Sequence, residues 1–296
     1  MASGELEGVG RSILWASADR LKLHALVYDP PAGVSKVPVV CIPGLTRNAR
    51  DFDDLGPWLA QQGRRVIGVD LRGRGRSQNG AAATYRPATY VDDVRRLLRD
   101  QGIERAHFIG TSLGGVVTMT LAMGNRSVVA GAVLNDIGPE VGAAGLQRIA
   151  SYTGKGIGSL KSWSEATAAT REAYQTTFPR FGDEDWRKIT ERSFKLNEAS
   201  ELILDYDPAI VRGGAPKLSR LVEHVLWRGF KRLAACGPTL AIRGGLSDLF
   251  EQTTLARMKA VRPTLMSAQI PDVGHAPTLN EPESRRALEA FFSLAD

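Results

Sequence analysis

Two hydrophobic periods alternate along most of the chain. Leu21, Leu23, Ala25 and Val27 recur at every second position, which predicts a half-buried antiparallel edge strand over Leu21–Tyr28, paired with Ile13–Ala16 around Ser17-Ala18-Asp19-Arg20. The pattern then changes to short continuous apolar runs. These are Val37–Ile42, Val66–Val69, Ala106–Ile109, Val128–Leu134, Thr239–Ile242 and Ser267–Ile270. Such runs fit strands covered on both faces. Segments of helical period separate them: Phe52–Gln61, Tyr90–Arg99, Leu113–Met123, Thr253–Ala260 and Pro282–Leu294. The alternation predicts an α/β fold, a mostly parallel central sheet with helices on both faces.

One interval interrupts the alternation. Between Pro139 and about Arg232 no convincing buried strand is visible, and several helices joined by loops are predicted. Ten of the 20 aromatic residues fall there, Tyr174, Phe178 and Phe181 among them. The expected partition is a core domain of residues 1–138 and 233–296. A helical cap, 139–232, is inserted after the strand ending near Asn135. Most of its rings are expected to form its own small core, with two or three lining a pocket.

The sharpest chemical signal is Gly110-Thr111-Ser112-Leu113-Gly114, where a buried strand ends and a helix begins at once. A serine in such a strained turn is pushed above the sheet edge, and flanking glycines let the backbone fold tightly around it. The helix N-terminus offers free N–H groups to a developing oxyanion. A serine nucleophile needs a base. His24 and His107 precede Ser112, and His224 sits mid-helix in the insertion, where it reads as a packed or solvated side chain. His275 lies in a loop just past the last strand, at the sheet edge where ligands bind. Two aspartates compete to orient it. Asp248 follows the strand Thr239–Ile242, 27 residues before His275, and is preferred. Asp136 ends the strand Val128–Leu134, 24 residues after Ser112, and is the alternative, its other role being a hydrogen-bonded hinge. Asp272 is too close to His275 along the loop to orient the ring. The backbone N–H groups of Leu113 and Leu45 are the candidate oxyanion donors, with Gly44 permitting the turn that aims the second.

These residues together resemble the α/β-hydrolase superfamily, specifically its serine-nucleophile members with a helical cap, over roughly Leu14 to Leu294. Gly245-Leu246-Ser247-Asp248 resembles the family's acid loop and Val273-Gly274-His275 its histidine loop. Asp70-Leu71-Arg72-Gly73-Arg74-Gly75-Arg76-Ser77 resembles the turn after its fourth strand. Pro43-Gly44 departs from the His-Gly common in the oxyanion loop, but the donor there is backbone. Some relatives place the acid after the preceding strand, which keeps Asp136 in play. Serine at the elbow separates the chain from epoxide hydrolases and haloalkane dehalogenases. The resemblance implies a hydrolase cleaving a small carboxylic ester, lactone or amide through an acyl-enzyme. Relatives that hydrolyse anionic ring-cleavage products at carbon–carbon or enamide bonds supply an alternative, in which Arg47, Arg148, Arg171 or Arg180 would pair with a substrate carboxylate. A ligand receptor on the same scaffold is a third reading, which nothing specific supports.

Charge and cysteine content narrow the rest. Lys plus Arg is 38 against 32 for Asp plus Glu, a net +6, which alone hints at nucleic acid or an anionic membrane. The charge is dispersed. Its densest group, Arg64, Arg65, Arg72, Arg74 and Arg76, lacks interleaved aromatics and reads as a solvated turn, so neither partner is expected. Two cysteines exclude a disulfide framework, and the scattered histidines lack zinc spacing, so no metal or organic cofactor is expected. The first seven residues are acidic, with no apolar run after them, and no spanning segment follows. A cytoplasmic monomer or homodimer acting on a small-molecule substrate is expected.

Overall fold

The computed structural model describes residues 9–31, 36–153, 158–212 and 219–295; residues 1–8, read above for a leader, lie outside that range. The strands are β1 (Arg11–Ala16), β2 (Lys22–Tyr28), β3 (Val39–Ile42), β4 (Val66–Asp70), β5 (Ala106–Thr111) and β6 (Val129–Asn135), then β7 (Phe194–Leu196), β8 (Leu202–Leu204), β9 (Thr239–Gly244) and β10 (Met266–Ile270). The helices are α1 (Leu55–Gln61), α2 (Pro87–Asp100), α3 (Leu113–Gly124), α4 (Ala143–Thr153), α5 (Trp163–Tyr174), α6 (Asp183–Glu191), α7 (Arg220–Leu233), α8 (Gln252–Val261) and α9 (Pro282–Ala295).

Eight strands form one sheet in the order β1-β2-β4-β3-β5-β6-β9-β10, with β7 and β8 forming a separate hairpin. Pairing is antiparallel for β1 with β2 and β2 with β4, and parallel for the rest. The apolar runs of β3, β4, β5 and β6 are buried because helices cover both faces. One face carries α2, α3, α7 and α8 through Val94, Leu97, Val117, Phe230 and Met258. The other carries α1 and α9 through Leu55, Leu59, Leu288 and Phe291. The parallel strands deliver the segments after β5, β6, β9 and β10 to one edge. Thr111 pairs with Asn135, Asn135 with Ile242, and Gly244 with Ile270, so the ends of β5, β6, β9 and β10 are level.

Four expectations change. β1 holds the edge, while β2 lies between β1 and β4 and is buried at six of its seven positions. The insertion contains the short β7–β8 hairpin, which packs Phe194 and Leu202 with Ala166 of α5. Three-residue strands are too short to show a period. Also, α7 turns Leu226, Gly229, Phe230 and Leu233 to the main core, so a chain that leaves the sheet after β6 is back on it by Arg220. The arginine group changes most. Arg64, Arg72 and Arg74 are buried rather than solvated. Arg72 forks onto Asp93 and Asp19, Arg74 lies between Tyr90 and Tyr85, and the Arg64 guanidinium lies 4.2 Å above the Phe292 ring. Their partners come from distant segments, so the local glycine-rich sequence does not show them.

Glycine is compulsory where α3 meets the sheet. A Cβ on Gly110 would lie 2.5 Å from the Gly114 carbonyl carbon, and one on Gly114 would lie 2.0 Å from the Ile42 oxygen. The atoms met are backbone and cannot move aside. Gly114→Ala is expected to lower the unfolding free energy by at least about 2 kcal/mol in urea denaturation. Gly124→Ala, at the other end of α3 and facing open space, should be neutral or stabilising by up to about 1 kcal/mol.

Candidate active site

Ser112 occupies the turn between β5 and α3 with φ 52° and ψ −115°, a left-handed backbone that an L-residue holds only when its surroundings impose it. The imposition is visible. Its N–H donates to the Asn135 carbonyl of β6 (3.0 Å), and its own carbonyl accepts from the Gly115 N–H (2.9 Å). The side chain thus projects from the sheet edge with the free amide of Leu113 beside it at the start of α3. The Pro43–Thr46 loop runs alongside: a Cβ on Gly44 would be 3.8 Å from the Ser112 Cβ. Arg74 Nε donates to the Leu45 carbonyl (2.9 Å) and anchors that loop from below. Sequence reasoning missed Arg74 in this role, since it took the turn as solvent-exposed.

His275 reaches Ser112 from the loop after β10. Its Nε2 is 2.9 Å from Ser112 Oγ, and its Nδ1 is 2.8 Å from Asp136 Oδ2. The partners assign the tautomer: the carboxylate accepts from Nδ1–H, which leaves Nε2 to accept from the serine hydroxyl. Two further contacts pin the histidine loop. Asn135 Nδ2 donates to the Pro277 carbonyl (2.8 Å), and the Gly274 N–H donates to the Thr177 carbonyl of the insertion (2.7 Å).

The histidine's partner is therefore Asp136, and the preference for Asp248 is corrected. Asp136 follows the last residue of β6, with φ 54° turning it in, and is fully buried. It accepts from the Gly244 N–H (2.7 Å) and the Ser247 hydroxyl (2.6 Å) as well as from His275. Asp248 lies four residues beyond β9, where the loop meets α4. There Arg148 forks onto it at 2.8 and 2.7 Å. That hydrogen bond, against opposing burial and with the Arg148 charge assisting, holds the Asp248 carboxyl below its ordinary range. The Gly-x-x-Asp resemblance thus marks a loop whose serine, Ser247, donates to Asp136, while its aspartate ties down the insertion.

A second Ser–His–Asp chain exists on the sheet. His24 bridges Asp70 (Nδ1 to Oδ2, 2.7 Å) and Ser12 (Nε2 to Oγ, 3.0 Å). Ser12 lies within β1, no helix begins there, and it does not line the cavity described next. Asp70 also accepts from the Ala49 and Arg76 amides, which suits a structural role in holding the turn after β4. The three residue types in sequence are thus insufficient without the elbow.

Ser112 and His275 open onto a cavity of about 440 Å³. Its wall includes Gly44, Leu45, Arg47 and Phe52 from the core, and Tyr174, Phe178, Phe181, Lys188 and Arg192 from the insertion. Three of the insertion's rings line it, as expected. Phe178 stacks on Phe181 at 4.3 Å, and Trp186 backs Phe181 edge-on. Of the four arginines considered for substrate, only Arg47 lines the cavity, and it is engaged by Asp51 and Ser193. Arg148 is held by Asp248, Arg171 by Asp183, and Arg180 by Asp272. His224 is exposed on α7. No helix among the described residues is long and apolar enough to cross a membrane. No group of His, Cys, Asp and Glu among them could hold a metal.

The model of the alpha/beta hydrolase fold family matches residues 37–282. The chain belongs to that family. It is 34% identical over 281 residues to the 3-hydroxybutyrate-oligomer hydrolase of Cupriavidus necator, covering 92% of this chain and 94% of that one. It is 27% identical to the sn-1-specific diacylglycerol lipase of Danio rerio, over 84% of this chain and 76% of that one. The solved alpha/beta hydrolase of Novosphingobium aromaticivorans superposes with a TM-score of 0.89 at 39% identity, covering 97% and 99% of the two chains. The protein is accordingly a hydrolase.

The Arg148–Asp248 pair gives this hydrolase a measurable pH signature. The depressed carboxyl contributes stability above its ordinary value of 3.8 and loses it as pH falls through the lowered folded value. Both side chains are part-exposed, so the contribution is about 1 kcal/mol or less. Asp248→Asn should lower the unfolding temperature slightly at neutral pH. The gap from wild type should close as melts are repeated at pH values well below 3.8.

Proposed function

We propose that the protein is a serine esterase that cleaves small carboxylic esters through an acyl-enzyme on Ser112. The observation that carries this reading is the continuous relay from Ser112 Oγ through His275 to buried Asp136, at the mouth of a cavity walled by aromatic rings. His275 takes the serine proton as Oγ attacks the ester carbonyl. Asp136 holds the ring in the productive tautomer and stabilises the imidazolium. The Leu45 and Leu113 N–H groups receive the oxyanion, each worth about 3 kcal/mol of transition-state stabilisation. His275 then protonates the departing alkoxide. Water, activated by the same histidine, attacks the acyl-enzyme and releases the acid. The insertion acts as a cap over this centre, since residues of α5, α6 and the loop between them form the opposite cavity wall.

The relative named for 3-hydroxybutyrate oligomers supports a short hydroxyacyl ester as the substrate class. The anionic ring-cleavage reading rested on four arginines, and each is already held by a carboxylate. Ser112→Ala should abolish both turnover of short p-nitrophenyl esters and labelling by a fluorophosphonate. Stoichiometric labelling of that variant, at Ser12 or elsewhere, contradicts the assignment. Asp136→Asn should lower kcat by about 10³–10⁴-fold, because an amide cannot hold the donor tautomer. Asp248→Asn should stay within about tenfold of wild type. The reverse order of these two variants would restore Asp248 as the acid.

A further inference from the structure

Part of the cavity wall is organised around Asp54 rather than around Ser112. Arg192 Nη2 donates to Asp54 Oδ2 (2.7 Å), Asn280 Nδ2 donates to the same oxygen (3.1 Å), and Arg285 Nη2 donates to the Asp54 backbone carbonyl (3.1 Å). Asp54, Lys188, Arg192, Asn280 and Arg285 all line the cavity that Ser112 and His275 open onto. The charged side chains of the wall are Arg47, Lys188, Arg192 and Arg285 against Asp51, Asp54 and Asp185, four cations to three anions. Three of the cations have carboxylate partners: Arg47 has Asp51, Arg192 has Asp54, and Lys188 has Glu184.

Arg285 is different. Among the described residues no carboxylate is hydrogen-bonded or ion-paired to it. Its guanidinium lies 4.3 Å from the centre of the Trp58 ring, its Nη2 is spent on two neutral acceptors, and its Nη1 is buried without a hydrogen-bond partner. Glu281, one turn earlier, is occupied by the Thr278 amide and hydroxyl and by the Ser284 hydroxyl. Burial pulls the guanidinium below its ordinary pKa, and the charges of Asp54, Glu281 and Glu289 act against that pull from a distance. A cation stripped of much of its water, stacked on a ring and bonded to no carboxylate, gains more from an incoming anion than an exposed arginine does.

Building on the serine-esterase reading, we infer that the substrate carries a free carboxylate in addition to the scissile ester, and that Arg285 is the residue that selects it. A carboxylate is the anion a guanidinium pairs with most favourably. An oligoester of a hydroxy acid has this chemistry, since its chain end is a carboxylate, and hydrolysis of one linkage leaves another. The preferred substrates are then short chains read from the acid end.

The test compares a linear hydroxybutyrate dimer bearing its free carboxylate with the same dimer as the terminal carboxamide. Wild type should favour the acid by about ten- to hundredfold in kcat/KM, with KM for the acid alone rising as salt is added. In Arg285→Gln that ratio should fall toward one, through KM, and Arg285→Lys should keep part of it. Fluorophosphonate labelling of Ser112 in each variant reports whether the site is assembled. A wild-type ratio near one overturns the inference whatever the variants do. So does an Arg285→Gln that labels normally yet loses acid and amide turnover in equal measure. Ser112→Ala is run alongside: retained turnover there overturns the serine mechanism, and the charge preference is then judged on its own ratio.

Discussion

Asp136 is a carboxylate with no contact with water, and a buried negative charge costs several kcal/mol unless the protein replaces its hydration. The replacement comes from three places: the Gly244 amide at the end of β9, the Ser247 hydroxyl in the loop beyond it, and the His275 ring from the loop after β10. One side chain therefore binds the ends of three adjacent strands into a fixed relation. Loss of register in any of them would leave the charge unsatisfied. The same contacts orient the imidazole toward Ser112, so the requirement to solvate Asp136 and the orientation of the ring are met by the same hydrogen bonds.

The insertion is fastened to this framework by polar contacts around the cavity as well as by apolar packing. Asn48 and Arg50 both reach Asp205, and Arg50 also donates to the Glu191 and Phe194 carbonyls. Arg192 spans to Asp54, and Arg148 to Asp248. Burial pushes the Asp205 carboxyl up while Arg50 and Lys195 pull it down, the signature of a charge enclosed at a junction. Phe178, Phe181 and Trp186 contribute the apolar part, packing toward the core cluster that includes Val273 and Leu279. Arginines that look surplus in a basic sequence are thus largely structural, and the +6 net charge says little about partners.

Much of the fold was legible because its signals are local. Continuous apolar runs marked β3 to β6, and helical stripes such as Val91, Val94, Leu97 and Leu98 marked α2, because burial on two faces or one writes itself into consecutive residues. Ser112 was legible for the same reason: Gly110 and Gly114 are forced by backbone contacts within the turn and with β3. His275 followed from its place after the last strand. The β7–β8 hairpin was too short to carry a period, and the packing of α7 on α3 depends on which distant helix offers a complementary face.

The choice between Asp136 and Asp248 shows where sequence stops. Both follow strands of the right edge, Asp136 by one residue and Asp248 by four. Asp136 turns inward immediately after β6. Asp248 lies farther out, where the first turns of α4 and Arg148 meet it from 100 positions away. The buried state of Arg64, Arg72 and Arg74 and the open coordination of Arg285 are likewise properties of partners brought from distant segments. By itself the sequence determined the layered sheet, the strained serine turn and the histidine that serves it, since each is set by neighbouring residues. Only the tertiary structure decided which carboxylate orients that histidine and which arginine keeps a donor unfilled, because charge pairing is settled by distance in space.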